Sequence, residues 1–546
     1  MSVISRRRIS HWMSALRREA QKWSVGLAAA LLTAAAIAAL GAREVGAGVL
    51  SAAEERGREI YLNGQSASGQ EITALVGQGM TPAPGSALPC GTCHGSDGLG
   101  RPEGGVIPSN ITWGYLTKPY GTVSPFGQHR AAYTSQTLAR AIIMGIDSTG
   151  NYLDVSMPRY RMGAEDLGDL AAYLERLETY LDPGLSNERI IIGTILPGPG
   201  PLHSLGQAMR AVVEGYLDDI NAQGGVYGRK LDLEAKEADG RTAVLEEARK
   251  LGKRAFALVS VFTVGAEDEY VELVEEEGIP TIGPFTLFSQ DRDSHQRFTF
   301  HLLSGLPVQA RVLAEYAARK LRGQKLSTAV IYPAEPQWAG IAQAIEKQAV
   351  GHGWRNPMQI HYASGQINAA ELARRLKDDG IEALFFFGSP TELLSLTREA
   401  ERSAWTPYLL LSGSLTGIEI FDLPAVFQDK TFLAYTTIPS DHKPAAVMEF
   451  SSLQRQRALT QQHLLAQISA YAASKLLVEG LKRAGRGLSR EKLIAALEKL
   501  YDYETGLTPK LTYGPNRRVG ALGAHIMAID LEKRIFLSNS QWVGLE

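Results

Sequence analysis

The sequence predicts a multidomain chain in three parts: an N-terminal membrane helix, a small all-α domain and a large α/β domain. Three observations carry this. An uncharged run from Trp23 to Ala42 follows a basic N-terminus. Two amphipathic helical patterns flank Cys90-Gly91-Thr92-Cys93-His94. From Ile190 onward, short apolar strands alternate with helices, the pattern of layered α/β folds with mainly parallel sheets. At 546 residues the chain is too long for one ordinary domain. A formal net charge of -2 gives no polyelectrolyte signal, so no nucleic-acid partner is expected.

Residues 1–50 form the leader. Arg6, Arg7, Arg8, Arg17, Arg18 and Lys22 make it basic, opposed only by Glu19. The uncharged run of about 20 residues would reach roughly 30 Å as a helix, enough to cross the hydrocarbon core. The basic flank should stay in the cytoplasm and send the rest outward. A cleavable signal peptide, with small-residue sites near Ala42 and Ala47, and an uncleaved signal anchor both fit. The long basic region and long apolar run favour the anchor, so an inner-membrane contact is expected.

Residues 51–182 form the second domain. Cys-x-x-Cys-His is the attachment pattern for c-type haem. Two thiols add to the porphyrin vinyl groups, and the next residue presents its imidazole to the iron. The short spacing puts Cys90, Cys93 and His94 along one haem edge. The chain has only two cysteines, so a zinc site lacks further thiolates and no disulfide framework remains. A thioredoxin-like pair should follow a strand, whereas residues 85–89 read as a loop. One covalent haem c is therefore expected, which places the domain on the periplasmic side of a bacterial inner membrane, anchored or secreted.

A short helix is expected from Ala53 to Tyr61, ending at Asn63-Gly64. A second is expected over Asp166 to Leu174, with Leu167, Leu170, Ala171 and Leu174 at helical spacing and acidic Glu165 and Asp166 in its first turn. Small Gly57 and Ala171 would permit a close crossing, with Tyr61 and Tyr173 filling the gap. This pattern resembles class I cytochromes c, whose terminal helices cross beside the haem. The resemblance covers the whole domain and rests most firmly on Cys90 to His94 and the adjoining Gly95 to Gly100. It implies a distal methionine just before the last helix, and Met157 in Met157-Pro158-Arg159-Tyr160 takes that place. Thioether ligation opposite His94 raises the reduction potential. Met144 and Met162 are alternatives, and His129 would give a lower-potential bis-histidine haem. Gly104 to Pro108 and Trp113 are expected on the pocket wall.

Residues 183–189 read as a linker, and 190–546 as one α/β domain. Ile190 to Leu196 suits a buried parallel strand. A helix follows with apolar Leu205, Met209, Val212, Val213, Tyr216, Leu217 and Ile220, stopping at Gly224-Gly225. Further strands are expected at Leu231 to Leu233, Phe256 to Val261, Thr328 to Tyr332, Ala383 to Phe387, Tyr408 to Leu411 and Phe432 to Tyr435. Asp219-Ile220-Asn221-Ala222-Gln223-Gly224-Gly225-Val226-Tyr227-Gly228-Arg229 closely resembles the motif after the first helix of periplasmic branched-chain amino-acid binding proteins. Glu277 to Gly283 resembles their next strand, and Leu511 to Asn516 their closing hairpin. The resemblance implies a two-lobed type I periplasmic-binding fold with three interlobe crossings, near 308, 437 and 510. Lobe 1 would hold about 190–308 and 438–510, and lobe 2 about 309–437 and 511–546. Ligand would bind between the lobes and close the hinge.

The same resemblance places ligand contacts at Thr263 and Thr286, where the family uses hydroxyls on a ligand carboxylate. It adds Trp338 as an aromatic cover and Ser389 and Ser414 in two further cleft loops. Ordinary loop roles compete at each position. Amino-acid binders of this family carry an acid near Ser414 for the ligand ammonium, yet Leu411 to Thr416 holds none. A buried ammonium without a counter-charge is costly. A neutral polar, aromatic or carboxylic ligand therefore fits Phe285, Phe288 and Trp338 better than an ordinary α-amino acid.

No Walker A, Gly-x-Ser-x-Gly or His-Glu-x-x-His pattern is present, so a carrier and binding protein is expected rather than an enzyme. Weak peroxidase-like activity would require an open sixth iron position. Two readings follow. One is an electron carrier whose binding domain senses a small molecule or docks a periplasmic redox partner, such as a quinoprotein dehydrogenase. The other is a solute receptor for an ABC permease with the cytochrome as accessory.

Overall fold

A computed structural model describes residues 50–100, 105–124, 127–177, 181–289, 296–320, 326–537 and 541–545. The expected membrane helix lies outside them. Among the described residues no helix is long and apolar enough to cross a membrane. The chain forms two compact units, Met1–Tyr180 and Leu181–Glu546.

In the first unit, helix α1 (Ala52–Asn63) begins at a capping box. The Ser51 hydroxyl accepts from the Glu54 amide, and the Glu54 carboxylate accepts from the Ser51 amide at 2.7 Å. The helix stops at Gly64 in the left-handed region. Short helices α2 (Cys90–His94) and α3 (Trp113–Leu116) follow, then α4 (Ser135–Met144) and α5 (Ala164–Arg176). Helices α1 and α5 cross at Gly57. A Cβ there would stand 1.9 Å from the Asp169 carbonyl oxygen, so only glycine fits. Tyr61 and Tyr173 pack beside the crossing with ring centroids 5.5 Å apart. Arg56 locks it with two bonds to the Asp169 carboxylate, at 2.6 and 2.9 Å.

The all-α expectation for this unit needs correction. Strands β1 (Thr73–Val76) and β2 (Thr81–Pro84) form a hairpin, and β1 also pairs antiparallel with β5 (Arg159–Arg161). Pro82 and Pro84 sit on the sheet edge, where a missing N–H is tolerated. A second small ladder joins β3 (Thr122–Val123) to β4 (His129–Arg130). The central sheet docks on the helices through buried Ala74 and Tyr160.

The second unit starts earlier than 190, and its expected linker is packed structure. Leu185 is buried in the core, and the Ile191 amide donates to the Gly184 carbonyl at 2.8 Å. Gly184 has φ +73°, and a Cβ there would meet the Phe256 amide at 2.4 Å. Strand β6 (Arg189–Leu196) then enters a six-stranded parallel sheet. Its partners are β7 (Lys230–Glu237), β8 (Ala257–Val259), β9 (Thr281–Ile282), β10 (Thr299–Leu303) and, far along the chain, β16 (Val519–Ala521). Helices α6 (His203–Ala222) and Leu464–Ala484 cover one face, and α7 (Arg241–Gly252) and α8 (Glu267–Glu276) the other. A parallel sheet needs both faces covered, and the largely apolar β6 records that demand in sequence.

The second lobe is built on strands β11 (Thr328–Pro333), β12 (Met358–Tyr362), β13 (Ala383–Phe386), β14 (Tyr408–Ser412) and β15 (Thr431–Tyr435), all parallel. Strand β17 (Gly523–Asp530) closes it antiparallel. Helix α9 (Leu306–Lys320) already belongs to this lobe, so the first crossing falls at 304–305. The second spans 436–443. The third falls at 522 rather than near 510, because β16 pairs in parallel with β10 and keeps 511–521 in lobe 1. Leu511 and Tyr513 bury in that lobe's core, and the Tyr513 hydroxyl donates to the His301 carbonyl at 2.9 Å. Ser304 ties two crossings together: its hydroxyl donates to the Ala521 carbonyl at 2.9 Å and accepts from the Gly523 amide at 3.0 Å.

Candidate functional site

In the first unit, Pro89 precedes α2 and sets its N-terminus in extended backbone. One and a half helical turns then place Cys90, Cys93 and His94 on the wall of one cavity. The motif is held from both sides. The Tyr61 hydroxyl donates to the Gly95 carbonyl at 2.6 Å, and the Tyr160 hydroxyl to the Leu88 carbonyl at 2.7 Å. His94 Nδ1 lies 2.9 Å from the Ser109 carbonyl. A carbonyl only accepts, so Nδ1 carries the proton and Nε2 keeps its lone pair. Burial also lowers the His94 pKa, which favours the neutral ring. Burial pushes the Cys90 thiol up to about 12, the opposite of a redox-active thiolate.

The cavity has largely apolar walls, such as Ile111, Leu138, Ile142 and Leu174. Met157 is on the same wall set as His94. Met144 is exposed, Met162 packs into the domain core without lining the cavity, and His129 is exposed on β4. Of the expected Gly104 to Pro108 wall, Val106, Ile107 and Pro108 line the cavity, Gly105 does not, and Gly104 lies outside the described residues. Trp113 does not; it packs against the core instead. The Met157 loop is pinned by Arg159, which donates to the Met157 carbonyl and, at 2.9 Å, to the Leu153 carbonyl. Gly145 makes room for that guanidinium, since a Cβ there would sit 1.7 Å from Arg159 Nε.

Arg130 is a cavity residue that sequence reasoning missed. It donates to the Ser109 hydroxyl at 3.0 Å and stands 3.3 Å from the buried Asp147 carboxylate. Burial alone would raise the Asp147 pKa, but bonds from the Asn151 and Thr149 amides and the Asn151 side chain outweigh it and hold the carboxyl below its usual range. Arg130 sits at the end of a two-residue strand, too short to leave a periodic signal. A largely apolar cavity with one imidazole, one thioether, two thiols and one cation on its wall fits a porphyrin carrying iron and acidic edge groups.

In lobe 1 of the second unit, Thr263 and Thr286 follow β8 and β9 and share a second cavity with Glu267, Phe288, Gln296 and His301. Trp338 of lobe 2 meets Phe288 edge-on, with centroids 5.3 Å apart. The structure therefore brings Thr263 and Thr286 to one cavity and Trp338 to its Phe288. Ser389 and Ser414 do not line that cavity; they follow β13 and β14 of lobe 2. Ser389 is a helix cap: its hydroxyl accepts from the Glu392 amide at 3.3 Å and donates to the Glu392 carboxylate at 2.7 Å. Ser414 lies in an exposed loop, accepting from Gln309 Nε2 at 3.2 Å. The missed residue is Glu267. Burial raises its pKa, partly offset by the Gly265 amide at 2.9 Å and the Thr286 hydroxyl at 3.2 Å. Only the tertiary fold brings Glu267 beside Thr286, so no local pattern announces it.

Residues 189–530 match the family profile described as periplasmic binding protein, and residues 86–178 the one described as cytochrome c. Leu/Ile/Val-binding protein homolog 3 of Brucella melitensis is 24% identical over 318 residues, covering 57% of this chain and 83% of that protein. The Leu/Ile/Val-binding protein BraC3 of Rhizobium johnstonii is 23% identical, covering 60% and 89%. Among solved structures, a branched-chain amino-acid ABC transporter protein of Thermus thermophilus with bound valine superposes with a TM-score of 0.54 at 16% identity, covering 66% of this chain and 98% of that one. A fatty acid ABC transporter substrate-binding protein of Thermomonospora curvata gives 0.53 at 15% identity, covering 67% and 95%. At such identities the superpositions show the shared fold.

Proposed function

Taking as premise that the chain belongs to the periplasmic binding protein family and carries a cytochrome c domain ahead of the binding fold, we propose that it is an electron-transfer protein outside the cytoplasm whose binding domain senses a small ligand or docks a redox partner. A cytochrome c domain implies covalently attached haem c, and the single Cys90–Cys93 pair argues for one haem. When bound, that group supplies one-electron chemistry. Cys90 and Cys93 would anchor it, His94 Nε2 and the Met157 sulfur would hold the iron, and Arg130 would face an acidic edge group. The apolar walls would exclude water and, with thioether ligation, raise the potential. The observation that carries this reading is the meeting of His94 and Met157 on one apolar cavity. The leader would tether or export the chain, and a periplasmic dehydrogenase such as a quinoprotein would supply electrons. No hydrolytic or transfer chemistry is proposed.

A second reading, a solute receptor delivering to an ABC permease, is favoured by the extent of the match: 83% and 89% of two binding proteins is covered. One experiment separates them. The midpoint potential of the purified holoprotein is measured across a library of small molecules. A ligand that binds and moves the potential supports sensing. A ligand that binds tightly and leaves both potential and reduction rate unchanged favours delivery.

A further inference from the structure

The lobe 1 cavity stands at the carboxyl ends of β8 and β9, the edge of an open parallel sheet where ligands enter such folds. Glu267 opens the ten-residue helix α8. A helix N-terminus with a nearby amide and hydroxyl is a natural slot for an anion. Here the chain's own carboxylate fills it. The Gly265 amide donates to one Glu267 oxygen at 2.9 Å and the Thr286 hydroxyl to the other at 3.2 Å. Thr286 Oγ1 also accepts from the Phe288 amide at 3.0 Å, so this hydroxyl is engaged in both senses. The Thr263 amide donates to the Phe285 carbonyl at 3.1 Å, and its hydroxyl is directed at the same oxygen at 3.5 Å.

What the cavity still offers a visitor is the Glu267 carboxylate and one buried, neutral imidazole. His301, 5% exposed on the cavity wall, has an Nδ1 with no hydrogen-bond partner among the described residues. Burial lowers its pKa to about 4, so the ring is neutral and brings no positive charge. A second carboxylate placed against Glu267 would meet like charge in a desolvated site, with its best donors already engaged. Phe288, set edge-on against Trp338, supplies apolar wall for the rest of the molecule.

We propose that the polar head of the ligand at lobe 1 is a hydrogen-bond donor, an amine, amide or alcohol, and that Glu267 sets this preference against carboxylates. The proposal rests on the receptor reading of the binding domain. It narrows the ligand range inferred from sequence by removing the carboxylic option at this end of the cleft.

The test uses the full-length holoprotein and titration calorimetry. Branched aliphatic, linear aliphatic and benzyl bodies are each presented as carboxylate, amine, amide and alcohol. At least one donor-headed probe should bind tenfold or more tightly than the carboxylate of the same body. Glu267→Gln should cut that preference to below threefold, with an absolute gain for the carboxylate. Thr286→Val, which removes a donor from the same carboxylate, should increase the preference for the amine. A tighter carboxylate in the native protein, or a preference unmoved by either variant, overturns the proposal and leaves the receptor reading standing. Silence from the whole panel, in protein with native circular dichroism and haem spectrum, overturns both.

Discussion

The two cavities hold their polar groups in opposite ways. In the first unit most of the cavity wall is apolar, and the polar groups near it are held by the protein: Nδ1 by Ser109, Arg130 by Ser109 and Asp147, Arg159 by the Met157 loop. In lobe 1 the wall itself is polar, with Glu267 drawing in nearby donors and His301 Nδ1 unpaired among the described residues. A preformed apolar slot suits a permanent, covalently held group. A polar cavity walled by a carboxylate and a neutral imidazole suits an exchangeable one. The difference teaches that one chain can serve a resident group and a visitor without sharing chemistry between them.

The sharpest way to break that contrast is to remove the covalent link. Cys90→Ala with Cys93→Ala should abolish covalent haem altogether, checked by haem staining after denaturing electrophoresis, while the binding unit keeps its circular dichroism. Next is the helix crossing that frames the slot. Gly57→Val should destabilise the first unit by about 3 kcal/mol or more, since a side chain there collides with backbone rather than with a movable group. Calorimetry should show this transition falling while that of the second unit stays.

How much of this was legible in sequence depended on range. The pentapeptide Cys90 to His94, the capped helix ending at Gly64 and the apolar run of β6 are local signals with a single physical reading. The hairpin β1–β2 was not legible, because four-residue strands carrying two prolines lack a strand's usual composition. Residues 183–189 looked like a linker because Pro183, Gly184 and Ser186 are loop formers, yet packing against β6 and Phe256 makes them structure. The third crossing was misplaced because β16 is three residues long and is defined by its partner β10, far back in the chain. Glu267 and Arg130 escaped for the same reason: convergence in space leaves no periodicity.

A pH titration sharpens the polar side of the comparison. Burial lowers the His301 pKa from the usual 6.5 to about 4. Between those values the unfolded chain binds the extra proton, so stability is full above about 6.5 and falls as pH drops toward 4. The loss should be on the order of 3 kcal/mol at most, and His301→Gln should flatten it in urea melts of the second unit. The smallest expected effect concerns the apolar side. Arg159→Met should lower stability of the first unit by about 1–2 kcal/mol and weaken the sulfur–iron band as the Met157 loop loosens, with Arg159→Lys restoring part of it.

The most direct test of the account is the visible spectrum of oxidised holoprotein beside that of Met157→Ala. The account predicts a weak sulfur–iron band near the red end in the native protein, its loss in the variant, and a lower reduction potential to match. A native spectrum without that band, or one unchanged by the substitution, would contradict the pairing of His94 with Met157.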